Sequence, residues 1–555
     1  MLNKRDLFHT RCLSSLEKVF ADENLESMSF QHATALWNES YSFQVAYRND
    51  GEIFKDFTIE IDSDLKEVIS VKVVGLVPSE FPIYKDHDEH VLRNTPGLYP
   101  DPLHPIEEAE LVAPSNQWRS IWITVALNEH ITPGLHDIFV KFVANDGEVF
   151  GQEKFTLDVI PVSLPKQKLI HTEWFHADCI AVEYGVDVFS EAHWDLLKKY
   201  VRAATSHGIN MIYTPLFTPP LDTAVGGERP TTQLVYVEKV GDKYSFDFTR
   251  LKRWLSMCQA CGVEYFEFSH LFTQWGAKHA PKIIVLENGE EKQLFGWETD
   301  AAGDAYRSFL GQFLPELVQF IDEEGIKEQA YFHVSDEPTL ANIDSYQEAS
   351  AMVQEYLNDF PVMDALSDYD FYEKGYVKNP IVTNDHIDVF IDNDVADLWT
   401  YYCCVQYKEV ANRFFVFPSA RNRIIAYQLF KYDIQGFLQW GYNFWYSQYS
   451  LKAVNPYEST DAEFGFPSGD AFLVYPGKTG PVESIRLKVL YEAMQDLRAL
   501  QLLMEKVGKA EVLAFLEKDL LQPLTFKVYP RDAAWLLQTR ARINERLREV
   551  FLPEK

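Results

Sequence analysis

Long apolar runs are absent from this chain of 555 residues. No stretch of about 18 apolar residues occurs, which excludes a transmembrane helix. The first 30 residues hold no apolar run of seven or more and no small-residue cleavage site, so no signal peptide is expected. Cysteine is scarce: six residues cannot build a disulfide framework. Cys258 and Cys261 form a C-x-x-C at the end of an amphipathic stretch. No second such pair completes a zinc site, and both read as buried, reduced thiols. Basic charge is also short, with 51 Lys and Arg against 83 Asp and Glu, a net −32. A surface that acidic repels phosphate backbones and anionic lipid, so neither nucleic acid nor a membrane is an expected partner. H-E-x-x-H and G-x-S-x-G do not occur. The Gly477, Lys478, Thr479 run lacks the first glycine of a phosphate loop, because position 472 is Phe472. There is no internal repeat and no low-complexity segment. The expectation is a cytoplasmic protein, acting on short imported molecules rather than intact external polymers.

Core-forming residues are plentiful. Hydrophobic residues make up 46% and aromatics 14%, with 12 Trp and 29 Tyr, so most of the chain is expected to fold. From about 28 to 165 the pattern is β. Phe155, Leu157 and Val159 alternate with Thr156 and Asp158, while around 121–126 both faces look partly buried. Turn signals at 49–51 and 145–147, each Asn-Asp-Gly, and at Pro133 and Gly134 separate short strands, which predicts an antiparallel β-sandwich. Pro161 to Pro165 reads as a linker.

After 165, short apolar strands alternate with amphipathic helices. Strands are expected at 168–175, 210–214, 263–269, 329–334, 362–366, 388–391, 398–402 and 436–440, and helices at 192–207, 250–260, 305–323 and 343–357. Eight such strands predict a (β/α)8 TIM-like barrel; a doubly wound sheet is the alternative. From Pro481 onward the chain reads as helical, with Ile485, Val489, Met494 and Leu497 on one face and two more helices near 508–519 and 532–550. The fold class is therefore α/β: a β-sandwich domain over 1–165, a catalytic barrel over 166–505 and a C-terminal helical tail over 506–555.

In a barrel the chemistry sits at the C-terminal strand tips. The fourth predicted strand runs straight into Asp336, Glu337 and Pro338. Two enclosed neighbouring acids cannot both ionise easily, which prepares one of them as a general acid near neutral pH. A solvated acidic turn before a helix is the plainer alternative. Other tips carry His176, His270, Trp275, Trp399, Trp440 and Tyr442. Aromatic faces pack on the C–H face of sugar rings, and these six are the candidate substrate contacts. His176 and His270 lack a third ligand at metal spacing, so no metal is expected.

Two blocks carry a family resemblance: HVSDEP at 333–338, and GDAFLVYPG at 469–477 followed by Ser484, Ile485, Arg486 and Leu487. Together they resemble glycoside hydrolase family 123, the β-N-acetylgalactosaminidases, whose catalytic region is also called DUF4091. The resemblance covers about 28 to 505. It implies a β-sandwich followed by a (β/α)8 barrel and substrate-assisted retaining catalysis without a cofactor. Asp336 would polarise the substrate's 2-acetamido N–H and Glu337 would be the acid/base. The partner it implies is an oligosaccharide ending in N-acetylgalactosamine. Asp470 and Arg486, from the second block, read as structural support rather than catalytic groups.

Three alternatives stand beside this reading. One is a β-N-acetylglucosaminidase or broad hexosaminidase. Another is a carbohydrate-binding protein without catalysis. The third is a two-carboxylate glycosidase pairing Glu337 with an acid from another strand, such as Glu173 or Asp178.

Overall fold

The computed structural model describes residues 4–552. Two sheets face each other in the N-terminal part. One runs Phe8–Ser14, Ser40–Asn49, Trp118–Ala126, Ile69–Ser79, Gly97–Pro105, Pro481–Ser484, Tyr475–Pro476 and is antiparallel throughout. The other runs His32–Trp37, Val149–Ser163, Gly134–Ala144, Phe57–Asp62, with its first pair parallel. Alternation places Ile121, Ile123 and Val125 against Phe155, Leu157 and Val159 in the core between them. Trp122 points the other way, into the core shared with the barrel, which is why both faces of that strand looked apolar.

Three local expectations change. The turn at 145–147 joins two paired strands, but the turn at 49–51 does not close a hairpin. Gly51 N–H bonds Asn49 Oδ1, and the next strand belongs to the other sheet. Pro161 is not in a linker. It lies inside Val149–Ser163, where a bulge carries the pairing from Ile160 to Ser163 and leaves the proline out of the ladder. Pro481 does not open a helix either, since Pro481–Ser484 is a strand on the N-terminal sheet.

The barrel strands are β1 Ile170–Glu173, β2 Met211–Thr214, β3 Tyr265–Phe268, β4 Ala330–Tyr331, β5 Met363–Leu366, β6 Asn379–Thr383, β7 Trp399–Tyr401 and β8 Gly436–Gln439. All neighbours are parallel, in the order β4-β3-β2-β1-β8-β7-β6-β5. The ring closes between β4 and β5 through Phe332, whose N–H bonds Pro361 O at 3.0 Å and whose carbonyl accepts from Met363 N at 2.9 Å. The sixth strand is a correction. Residues 388–391 lie in a short helix, Asp388–Asp392, and β6 holds Pro380 near its start. A proline there costs one ladder bond and hides the strand from a pattern search.

Helices α1 Glu191–Thr205, α2 Thr249–Ala260, α3 Asp304–Glu324 and α4 Ile343–Leu357 follow β1 to β4. Single-turn helices after β5 and β6 replace full crossovers, which explains the weak helical signal there. Insertions after β2 and β3 form a small sheet of Lys243–Asp247, Tyr236–Val240, Ile283–Glu287 and Glu290–Phe295. The chain ends in α5 Ile485–Val507, α6 Lys509–Glu517 and α7 Ala533–Phe551. Ser484 caps α5, its Oγ accepting from Leu487 N at 3.1 Å. No helix among the described residues is long and apolar enough to cross a membrane. All six cysteines are free, with Cys258 and Cys261 buried as expected.

Candidate active site

Beyond β4 the chain is pinned before it reaches the acids. Val334 N bonds Asp364 Oδ1 at 3.1 Å, Ser335 Oγ donates to Thr273 O at 2.8 Å, and Trp275 N donates to Asp336 O at 2.9 Å. In an extended strand the side chains of Asp336 and Glu337 would face opposite sides. Glu337 instead takes φ +44°, in the left-handed region, and Pro338 follows. Both carboxyl groups consequently line one cavity of about 220 Å³ at the C-terminal end of the barrel. Three further lining residues that are not glycine, Asp222, Trp275 and Tyr449, also have positive φ. Strain of this kind persists only where the surrounding structure enforces it.

Burial, then the neighbouring Glu337 charge, raises the Asp336 carboxyl well above the usual carboxylate range; Asp364 and Asp222 add to this and His333 opposes it. Burial also raises Glu337, against the Tyr401 hydroxyl, which donates to Glu337 Oε1 at 2.7 Å. The pair therefore retains a proton at a pH where isolated carboxyls would have lost theirs.

Beneath the pair lies a sealed polar layer. Glu267 accepts from Thr172 Oγ1 at 2.5 Å, Trp174 Nε1 at 2.7 Å and His333 Nε2 at 2.7 Å. His333 Nδ1 is 3.4 Å from Asp364 Oδ1, and Tyr346 Oη donates to Asp364 Oδ2 at 2.6 Å. Burial pulls the His333 pKa down, but Asp364 and Glu267 outweigh it and bring the ring up to about 9. Among the described residues, His270, His333 and Asp364 come close enough to hold a metal ion. The ring geometry does not fit one. The imidazoles of His270 and His333 stack at 4.4 Å with 25° between planes, whereas a shared ion must lie near the plane of each ring. Both Asp364 oxygens already accept hydrogen bonds. The arrangement is that of a histidine ring set between two acidic side chains.

Two of the six candidate substrate contacts line the cavity: Trp275, which is 45% exposed at the mouth, and Trp440. Trp440 is oriented by Asp470, whose Oδ2 accepts from its Nε1 at 2.9 Å. Burial lifts the Asp470 carboxyl to about 7. Arg486 clamps Asp101 through two bonds and donates to Gly469 O and Phe472 O, so it ties the second block to the N-terminal sheet. Both residues of that block are supports, as expected, but they do not pair with each other.

The other four do not line the cavity, which corrects the expectation for each. His176 is buried, with Nε2 on Trp440 O at 3.1 Å and Nδ1 facing Arg229 at 3.2 Å, and burial and Arg229 lower its pKa to about 3. His270 lies in the layer below, its Nδ1 2.9 Å from Tyr213 Oη. Trp399 is the first residue of β7 and packs on Tyr331 at the opposite end of the barrel from the mouth. Tyr442 stacks on Phe175 and donates to Tyr200 O at 3.0 Å, behind the barrel wall.

Several lining residues were not singled out from the sequence: Trp174, Asp222, Tyr401, Tyr449, Phe466 and the consecutive Cys403 and Cys404. Trp174 and Tyr401 stand at tips of predicted strands, and tip position is the signal that could have found them. Glu173 and Asp178 are excluded as partners of Glu337. Glu173 is fully buried on Arg413 at 2.8 Å, and Asp178 on Arg229 at 2.7 Å.

Comparison with known proteins bears on family and fold. A family model described as the glycoside hydrolase 123 catalytic domain matches residues 174–503. A search of curated proteins gives no match. Among solved structures, a family 123 glycoside hydrolase from Clostridium perfringens, studied for glycolipid glycan hydrolysis, superposes with a TM-score of 0.76. The identity is 15%, and 97% of each chain is covered. A putative β-galactosidase from Bacteroides fragilis reaches only 0.29 at 9% identity, covering 83% of this chain and 58% of its own. A β-glucuronidase from Parabacteroides merdae reaches 0.31 at 11%, covering 89% and 52%. Scores that low add nothing to the assignment. The whole-length fold match and a family model spanning more than half of the chain, centred on the cavity with its two acids, make this chain a member of glycoside hydrolase family 123.

Proposed function

We propose that the protein is a retaining exo-glycosidase that releases terminal β-linked N-acetylgalactosamine by substrate-assisted catalysis. The observation that carries the reading is the pair itself: two consecutive carboxyl groups turned into one small cavity, with raised proton affinity and no arginine or lysine among the lining residues. Ordinary retaining enzymes hold two carboxyls about 5 Å apart on either side of the scissile bond. Consecutive residues are poorly placed for that and well placed to serve two adjacent atoms of one sugar.

In this mechanism the bound substrate's amide N–H favours the ionised form of Asp336, so the proton the pair retains sits on Glu337, which Tyr401 orients and which donates it to the leaving oxygen. The acetamido oxygen of the substrate attacks the anomeric carbon from the opposite face, aided by its fixed proximity. Asp336 accepts the amide N–H and stabilises the positive charge that spreads onto it. An oxazolinium ion results. Glu337, now a base, takes a proton from water, which opens the ring with net retention. The cavity is smaller than a typical drug-sized pocket, in keeping with one terminal sugar residue.

The test is Asp336→Asn and Glu337→Gln assayed on 2-acetamido β-glycosides with good and poor leaving groups, in both galacto and gluco series. Glu337→Gln is expected to hurt chiefly where the leaving group needs a proton, and Asp336→Asn with either. Equal, mild losses would overturn the mechanism. Preference for the gluco epimer would move the reading to an N-acetylglucosaminidase. Hydrolysis of sugars lacking the acetamido group at similar rates would favour two-carboxylate chemistry.

A further inference from the structure

Several polar groups at the cavity are already committed, while the Asp336 carboxyl, the Trp275 Nε1, the Gln448 amide and the Tyr449 hydroxyl face it without a hydrogen bond among the described residues. Trp174 Nε1 bonds Glu267, Trp440 Nε1 bonds Asp470, Tyr401 Oη bonds Glu337, and Gln274 Nε2 bonds Thr223 O. Asp222 differs. Its Oδ2 accepts from Tyr449 N at 2.9 Å, while Oδ1 takes none of the hydrogen bonds among the described residues. Its backbone is fixed on both sides: Ser450 Oγ donates to Asp222 O at 2.7 Å, and Ala224 N donates to Tyr449 O at 3.0 Å. At φ +37° the residue is held in a conformation that most side chains avoid, so its direction is set before a ligand arrives. It also lies near enough to Asp336 to raise that group's proton affinity.

We infer that Asp222 is a specificity-determining residue whose carboxylate accepts hydrogen bonds from the hydroxyls on the edge of the sugar ring remote from C1 and C2. The inference deepens the proposed reaction and rests on it: Asp336 and Glu337 are occupied by the 2-acetamido group and the glycosidic oxygen, leaving the 3-, 4- and 6-hydroxyls to be read by something else. A carboxylate offers acceptors for two neighbouring O–H donors at once. A third acid among the lining residues, with no arginine or lysine there, also disfavours sugars carrying sulfate or carboxylate on that edge. The substrate class is a neutral terminal 2-acetamido sugar with those hydroxyls free.

The experiment measures kcat/KM of wild type and Asp222→Asn on the nitrophenyl 2-acetamido-β-galactoside and on its 3-, 4- and 6-deoxy analogues. Calorimetric titration with the free sugars runs in parallel. Asparagine tolerates the left-handed conformation and keeps the size of the side chain. Asp222→Asn should lose about 10- to 100-fold on the parent, the size of one charged hydrogen bond. That loss should shrink to within about threefold on the analogue lacking the hydroxyl it reads. Ser450→Ala, which removes one of the bonds that aim Asp222, should lower kcat/KM on the parent by less than Asp222→Asn and show its smallest loss on the same analogue. A loss from Asp222→Asn that is equal across all analogues overturns the inference, because it describes a loop support. Binding that depends on Asp222 without turnover would sink the proposed reaction and leave the inference standing. No binding of any of these sugars sinks both.

Discussion

Two groups of buried charge in this molecule use the same residue types to opposite ends. At the seam between sandwich, barrel and tail, Arg423 holds Asp496 with two bonds of 2.7 and 2.9 Å and Glu492 with one of 2.6 Å. Arg540 bridges Asp496 and Glu39 at 2.7 Å each. Burial alone would push Asp496 up, but Arg423 and Arg540 hold it below the usual carboxylate range. Three acids face two guanidinium groups there, and the surplus falls on Glu492, which burial lifts to about 7 despite Arg423. At the cavity, Asp336 and Glu337 are only partly covered, since they line the pocket, yet they too are desolvated enough to be pushed up, and they have a tyrosine hydroxyl and each other for company. Desolvation is common to both places; the partner decides the direction. Paired charges join parts of the fold, and unpaired ones are poised to exchange a proton with a ligand.

The comparison can be broken at several points. The largest effect is expected on activity: Glu337→Gln should lower kcat about 10²- to 10⁴-fold on a poor leaving group, the usual worth of a positioned general acid. Stopped assays against nitrophenyl and alkyl glycosides would check it. Next comes stability, where the two places should respond with opposite signs. Arg423→Ala leaves Asp496 and Glu492 underpaired and should cost about 3–5 kcal/mol, read as a lower urea midpoint. Asp336→Asn removes a crowded acid and should leave that midpoint unchanged or raise it by up to about 1 kcal/mol. If both variants destabilised equally, the contrast drawn between the two places would be wrong.

Smaller effects sharpen it. Tyr401 opposes the rise of Glu337, so Tyr401→Phe should raise that carboxyl further. Glu337 acts protonated and activity falls as pH rises through its pKa, so the alkaline limb of the kcat/KM profile should move to higher pH. At the optimum, kcat/KM should fall about tenfold for the lost orienting bond. A limb that stays in place would remove Glu337 as the acid. Trp440→Phe, which loses the bond to Asp470 and keeps the ring, should raise KM about two- to tenfold with kcat little changed. Steady-state kinetics would separate the two.

Much of this was readable in the chain. Short apolar runs located seven of the eight barrel strands, because a buried parallel strand needs both faces apolar. The exception, β6, carries Pro380, while Val389, Phe390 and Ile391 imitate a strand in what is a helical turn. The acids were visible because a strand tip is a local feature. Trp399 shows the limit of that rule: it belongs to the predicted strand, but two residues along β7, about 7 Å, separate it from Tyr401 at the mouth. Tyr442 and His176 lie just past their strands, where the alternation that would say which way they face has stopped. Asp222, Tyr449 and Phe466 come from loops far apart in sequence, and no spacing announces that they meet.

Element type, the strand–helix rhythm and the presence of neighbouring acids before a proline are properties of local pattern, and patterns of period two or near four are written in residue order. Which way Glu337 turns, whether an acid finds an arginine or only another acid, and hence which carboxyl stays protonated, follow from contacts between segments tens to hundreds of residues apart. Those contacts exist only once the barrel closes, since proton affinity responds to distance in space and to excluded water, neither of which residue order encodes.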